Sequence, residues 1–178
     1  MQPRIREVLD YIDTERAALA TAVESVPAAA RSQPPADGRW SVAEVLEHLA
    51  LVERSVVRLL RVKIEEARSA GLGPEQSAEP IMPTVPVEAV LDRSRPITAP
   101  ERARPRDGLD AAAAWDALAA SREALTALVE ESDGLALAEV VAPHPAVGPL
   151  NAYQWIAFVG AHEARHAAQI REVGAARA

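Results

Sequence analysis

The run Trp40-Ser41-Val42-Ala43-Glu44-Val45-Leu46-Glu47-His48-Leu49 decides the fold, because it combines a helix start with a core-facing histidine. Ser41 and Glu44 have the spacing of a capping box, in which each side chain bonds the other residue's backbone N–H. Trp40 and Val45 flank the cap as a hydrophobic staple. Beyond it the apolar row Val45, Leu49, Val52, Val56 and Leu59 recurs at steps of three and four. That period predicts a helix over about 41–70, stopping before Gly71. His48 lies three residues after Val45 and four before Val52, so it points inward with the stripe.

Three further helices follow from the same pattern. Ile5, Val8, Leu9, Ile12, Leu19, Val23 and Val26 make a one-sided stripe over about 3–26. Trp115, Leu118, Leu125, Leu128 and Val129 do so over about 110–133, starting near Asp110. The last helix covers about 151–173, with Asn151 and Gln154 as its capping box and Leu150 stapling onto Trp155. Proline costs about 3 kcal/mol inside a helix, and all 14 prolines fall at helix starts or in connections. Four capped amphipathic helices with almost no alternating segments predict an all-α, four-helix bundle in a single domain spanning 1–178. The connection over 71–109 is long for a compact domain. It reads either as a crossover running along the bundle or as a solvated proline-rich linker. Leu135 to Ala142 reads as a short extended piece ahead of a turn-rich His144 to Pro149.

Composition removes several chemistries. The chain has 178 residues and no cysteine, which excludes disulfides, thiolate metal sites and a cysteine nucleophile. Any thiol chemistry must use an external thiol. A net charge of −7 argues against a broad face for nucleic acid or anionic lipid. The start lacks the apolar segment of a signal peptide, and no stretch is long and apolar enough to span a membrane. The expectation is a soluble cytoplasmic protein acting on a small molecule. Arg93, Arg95, Arg102, Arg104 and Arg106 make the long connection locally basic, which suits either an anionic substrate or a solvated loop.

Four histidines are present, and His162 and His166 lie one helical turn apart on one face. With the inward-facing His48 on another helix, they can converge across a bundle interface. Three neutral imidazoles suit zinc, nickel or iron and leave a coordination position open. His48 alone also reads as an ordinary core histidine. His162-Glu163-Ala164-Arg165-His166 matches H-E-x-x-H, in which the glutamate is the general base of a zinc protease. No histidine follows His166 to serve as a third ligand, although Glu172 is a formal candidate. Glu163 reads more simply as an exposed carboxylate or one that orients a ligand, and it is the nearest candidate for a general base. Gln169 suits either a place beside the ligands or the surface, and His144, between two prolines, either faces substrate or solvent. Gly160 reads as a close helix approach or as a tolerated small residue.

The run from Trp40 to Leu49 followed by Glu53, together with His162 to Ile170, resembles the two signatures of the DinB-like, YfiT-like metal-binding family. The lead from His144-Pro145 through Gly148-Pro149-Leu150 is also similar. The resemblance spans nearly the whole chain and implies a four-helix bundle with a long crossover between its second and third helices. It implies one divalent ion held by His48, His162 and His166, and often a homodimer. Relatives of this kind transfer low-molecular-weight thiols such as bacillithiol or mycothiol to electrophiles, or isomerise substrates with a thiol cofactor. Others are described only as metal-dependent hydrolases. The expectation is therefore a metal-dependent thiol transferase, with a hydrolase or a non-catalytic metal-binding bundle as alternatives.

Overall fold

The computed structural model describes residues 1–36, 38–94, 98–106 and 110–175. Arg95 and the far end of the predicted connection at Leu109 lie outside them. Four long helices carry the bundle: α1 (Pro3–Glu24), α2 (Val42–Ser69), α4 (Ala111–Glu131) and α5 (Ala152–Ala175). A short α3 (Val87–Leu91) lies between α2 and α4.

The helix limits have local causes. Pro3 opens α1, where its missing N–H costs nothing. At α2 the Ser41 N–H donates to Glu44 at 2.7 Å, and the Glu44 N–H donates to the Ser41 hydroxyl at 3.2 Å. That helix ends at Ala70 and Gly71, with Gly71 at φ +90°. The N–H groups of Gly71 and Leu72 turn back to the carbonyls of Arg68 and Ala67, at 3.0 and 2.9 Å. This Schellman closure requires a left-handed residue, which glycine adopts without steric cost. Asp110 caps α4 through the Ala113 N–H, and Asn151 with Gln154 forms the reciprocal pair at α5.

Cross-helix contacts fix the directions. Arg16 meets Glu163 and Ile12 approaches Gly160, so α1 and α5 run parallel. Glu53 meets Arg122, and Arg68 near the end of α2 donates to the Glu131 carbonyl at the end of α4, so α2 and α4 are also parallel. Parallel neighbours cannot be joined by a tight turn. After α2, whose 28 residues rise about 42 Å, the chain must travel back along the bundle before α4 begins. The connection does so while bonded to the bundle, which sets aside the solvated-linker reading. Ile81 and Met82 N–H groups donate to Glu7, Arg4 bonds the Glu79 carbonyl, and Ile81, Val90 and Ala103 are buried. The helix α3 within it packs on α5.

The segment after α4 differs from expectation. Residues 137–139 form a short 3-10 turn instead of extended chain. Two strands follow, β1 (Val141–His144) and β2 (Gly148–Asn151), paired antiparallel with His144 opposite Gly148. The prolines hid this hairpin, because Pro143, Pro145 and Pro149 interrupt any alternating pattern. Gly148 at φ +84° sits where the return strand begins.

A charged layer divides the core. One apolar cluster holds Ile5 to Ile12, Val56 to Ile64, Leu125 to Val129 and Tyr153 to Ala161. The other holds Leu19 to Val26, Val42 to Ala50, Ala114 to Leu118 and Ala167 to Val173. Between them lie Arg16, Glu53, Arg122 and Glu163, one from each long helix.

Candidate metal centre

His48 comes from the second turn of α2, while His162 and His166 face it from α5. Their Nε2 atoms converge: His162 lies 3.3 Å from His48 and 3.2 Å from His166. Each of the three offers one nitrogen, all within 4.8 Å of one another, forming a group able to hold a metal ion. His48 and His166 are buried and His162 is half-buried.

The other ring nitrogens fix the protonation pattern. Nδ1 of His48 is 2.7 Å from the Ala103 carbonyl, which can only accept, so the proton is on Nδ1. Nδ1 of His166 is 2.9 Å from Oε1 of Gln169 and is likewise a donor. In the neutral rings both Nε2 atoms are therefore bare lone pairs aimed at His162. A neutral His162 with its proton on Nε2 can donate to one of them at most, leaving the other Nε2 without a donor; with its proton on Nδ1 it opposes a lone pair to both. An added proton is disfavoured, because burial holds His166 down at about 3 and lowers His48 against the opposing pull of the Ala103 carbonyl. Burial and the neighbouring histidines also lower His162 well below the ordinary range. A divalent cation satisfies all three lone pairs. Nitrogens bound at ~2.0 to 2.1 Å to a tetrahedral ion stand about 3.3 Å apart, close to the two spacings of 3.3 and 3.2 Å about His162.

Around this group, Phe158 stacks on His162 with centroids 5.4 Å apart, and Trp40 lies 5.0 Å from His48. Arg165 donates to the carbonyls of Val90 and Asp92, tying the crossover to α5 beside His166. Arg93 forms a two-pronged pair with Glu172, so that carboxylate is engaged away from the histidines.

Glu163 is neither exposed nor beside the histidine nitrogens in a bonded arrangement. It is 1% exposed, and its Oε1 accepts from Arg16 at 2.6 Å and Arg122 at 3.1 Å. Burial raises its pKa while both guanidiniums oppose that shift. Glu53 accepts from Arg122 at 2.8 Å, Ser121 at 2.7 Å and Arg16 at 3.1 Å. Two arginines thus balance two glutamates inside the bundle, as buried charge requires. The sequence carried a signal for this layer: Arg16, Glu53 and Arg122 each stand four residues after and three before apolar members of their stripes.

Gln169 lies beside the group, bonded to His166. His144 does not approach the three nitrogens as a bonded partner, but its ring packs against Trp155 at 5.0 Å and Phe158 at 4.5 Å. Gly160 makes the close approach, since a Cβ there would stand 2.9 Å from the Tyr11 ring and 3.3 Å from the Ile12 Cα. Arg102 and Arg104 are exposed on either side of buried Ala103. The Ala103 carbonyl was not visible as a partner in sequence, because a backbone group carries no residue signature.

The comparisons agree with this architecture. The "Uncharacterized protein YuaE" of Bacillus subtilis (strain 168) is 32% identical over 146 residues, covering 80% of this chain and 82% of its own. A crystal structure described as "TT2238, a four-helix bundle protein" superposes with a TM-score of 0.60 at 23% identity, covering 94% of this chain and 98% of that one. The DinB superfamily profile matches residues 11–170, and the chain belongs to the DinB superfamily.

Proposed function

We propose that the protein is a divalent-metal-dependent enzyme that transfers a low-molecular-weight thiol to an electrophile, with His48, His162 and His166 as the ligands. The observation that carries this reading is the pair of fixed tautomers that leaves bare Nε2 atoms around one point. A bound ion would supply Lewis acidity, lowering the pKa of a thiol at its open position. The chain supplies no cysteine, so the sulfur comes from outside.

In the transfer, the thiol S–H loses its proton to buffer and the sulfur lone pair forms a bond to the electrophile. The leaving group departs with its bonding pair. The protein's residues hold and enclose: Ala103 and Gln169 orient two imidazoles, and Phe158 walls one side of His162. Hydrolysis would need a base to take a proton from water; both guanidiniums bind Glu163 through Oε1 alone, and its buried Oε2 has no hydrogen-bond partner among the described residues.

Elemental analysis of protein purified without a histidine tag tests the site, beside the His48→Ala variant. Close to one equivalent of zinc, nickel or iron, lost in the variant, supports it. Metal-dependent consumption of a small thiol by an activated aryl halide then tests the chemistry. No metal in either protein after adding it back would overturn the reading.

A further inference from the structure

The outward faces of α2 and α4 carry opposite charge in matching order. On α2, Arg54, Arg61 and Arg68 recur every seven residues, with Arg58 between the first two, and all four are exposed. Arg54 and Arg58 are like charges one turn apart, and Arg61 follows three residues later, which weakens a helix unless counter-charges meet it. No carboxylate stands three or four residues from Arg54 or Arg58 on this helix. Among the described residues those two have no ion pair, and Arg61 reaches Glu131 of α4 only at 3.9 Å.

The neighbouring helix supplies the opposite sign. On α4, Asp116, Glu123 and Glu130 also recur every seven residues, exposed and without an ion pair among the described residues. The one basic residue of α4, Arg122, is buried. Ala113, Ala117, Ala120, Ala124 and Ala127, at steps of four and three, share the side of α4 on which Glu131 meets Arg61. The acidic row lies further round, towards the edge where Arg16 of α1 sits over Trp115. Across this face the order is therefore arginine row, alanine strip, carboxylate row.

The levels also agree. Glu53 bonds Arg122 and Arg61 meets Glu131, so along these parallel helices Arg54 stands level with Glu123 and Arg61 with Glu130. Rotating a second copy about a twofold axis that runs along the alanine strip sets its carboxylate row against the first copy's arginine row, and the reverse. Every level is kept. A twofold axis across the helices would instead set arginine on arginine. Flanking charges beside a seam at heptad spacing are how paired helices choose partner and direction, and alanine side chains let two helices approach closely. Two helix widths over the ~30 Å of α4 give about 600 Å² per copy, or roughly 1,200 Å² in all, the lower end for a specific interface.

We propose that this face pairs two copies of the chain, α4 on α4 with the helices parallel, and that Arg54 and Arg61 of each copy bond Glu123 and Glu130 of the other. The proposal assigns a face and a register and does not depend on the metal reading. Because charge sets the pairing, salt weakens it.

Sedimentation velocity on the full chain tests this with two charge-reversed proteins, Arg54→Glu with Arg61→Glu, and Glu123→Arg with Glu130→Arg. All four positions are exposed, and helix content by circular dichroism confirms that both proteins fold. At about 50 µM the wild type is expected to be a dimer whose Kd rises at least 10-fold between about 50 and 500 mM salt. Each reversed protein alone is expected to be a monomer, and an equimolar mixture of the two to form a dimer again, since both rows then meet opposite charge. A monomeric wild type overturns the proposal. So does a dimer that survives both reversals, which would place the contact on another face, or a mixture that stays monomeric.

Discussion

His48 donates from Nδ1 to the carbonyl of Ala103, 2.7 Å away and 55 residues along the chain. The crossover therefore holds one of the three candidate ligands in its tautomer, while Arg165 on α5 grips the same crossover at Val90 and Asp92. Ligand orientation and crossover placement are one structural event. Removing the metal with a chelator is expected to raise amide exchange at Ala103 and Arg104, with little change in the α4 interior around Leu125. Exchange measured by mass spectrometry checks this, and equal protection with and without metal would contradict it.

Replacing His166 by alanine is expected to remove a whole ligand and abolish stoichiometric metal. Gln169→Ala removes only the acceptor on Nδ1, so its metal affinity should fall by about 10- to 100-fold. Competition with a chromogenic chelator measures both. Equal metal content in wild type and His166→Ala would sink the ligand set.

The charged layer should matter to stability and not to metal. Arg122→Met leaves Glu53 and Glu163 short of a guanidinium and is expected to cost about 3 to 5 kcal/mol. Glu163→Gln should also destabilise, by about 3 kcal/mol, while keeping metal content. Urea midpoints read the first quantity and elemental analysis the second. Full stability in Glu163→Gln with lost turnover would restore it as the base of an H-E-x-x-H site.

Gly160→Ala places a methyl 2.9 Å from the Tyr11 ring and 3.3 Å from the Ile12 Cα. Alanine gains about 1 kcal/mol of helix propensity over glycine, whereas overpacking costs ~1 to 3 kcal/mol. Tyr11 is a side chain that can yield, but the backbone of Ile12 yields only by moving α1 from α5. A net loss of about 1 kcal/mol is expected, seen as a lower urea midpoint at unchanged slope.

Acid should destabilise the metal-free protein. His166 is held down from the ordinary 6.5 to about 3, so between those values the unfolded chain binds a proton that the folded chain refuses. Stability is complete above about pH 6.5 and falls as pH drops toward about 3, by about 1 kcal/mol per pH unit for this histidine. His48 and His162 shift the same way and steepen the loss. Thermal melts of chelated protein across this window, compared with His166→Gln, test it; a flat profile would be inconsistent.

The sequence by itself determined the four long helices to within about two residues at most ends, because caps and apolar period are local properties. It also turned His48 inward with its stripe and put His162 and His166 on one shared face, since helical spacing fixes which side chains share a side. It did not reveal the hairpin, whose pairing depends on Gly148 and on chain closure rather than on alternation. Only the tertiary structure decided what Glu163 does: its neighbour in sequence is His162, but its partners Arg16 and Arg122 come from α1 and α4. The same holds for Ala103, whose carbonyl acquires a role only when the crossover lies across α2. Local order follows from short-range spacing, whereas buried charge and ligand tautomer are set by groups that meet only after the chain has folded.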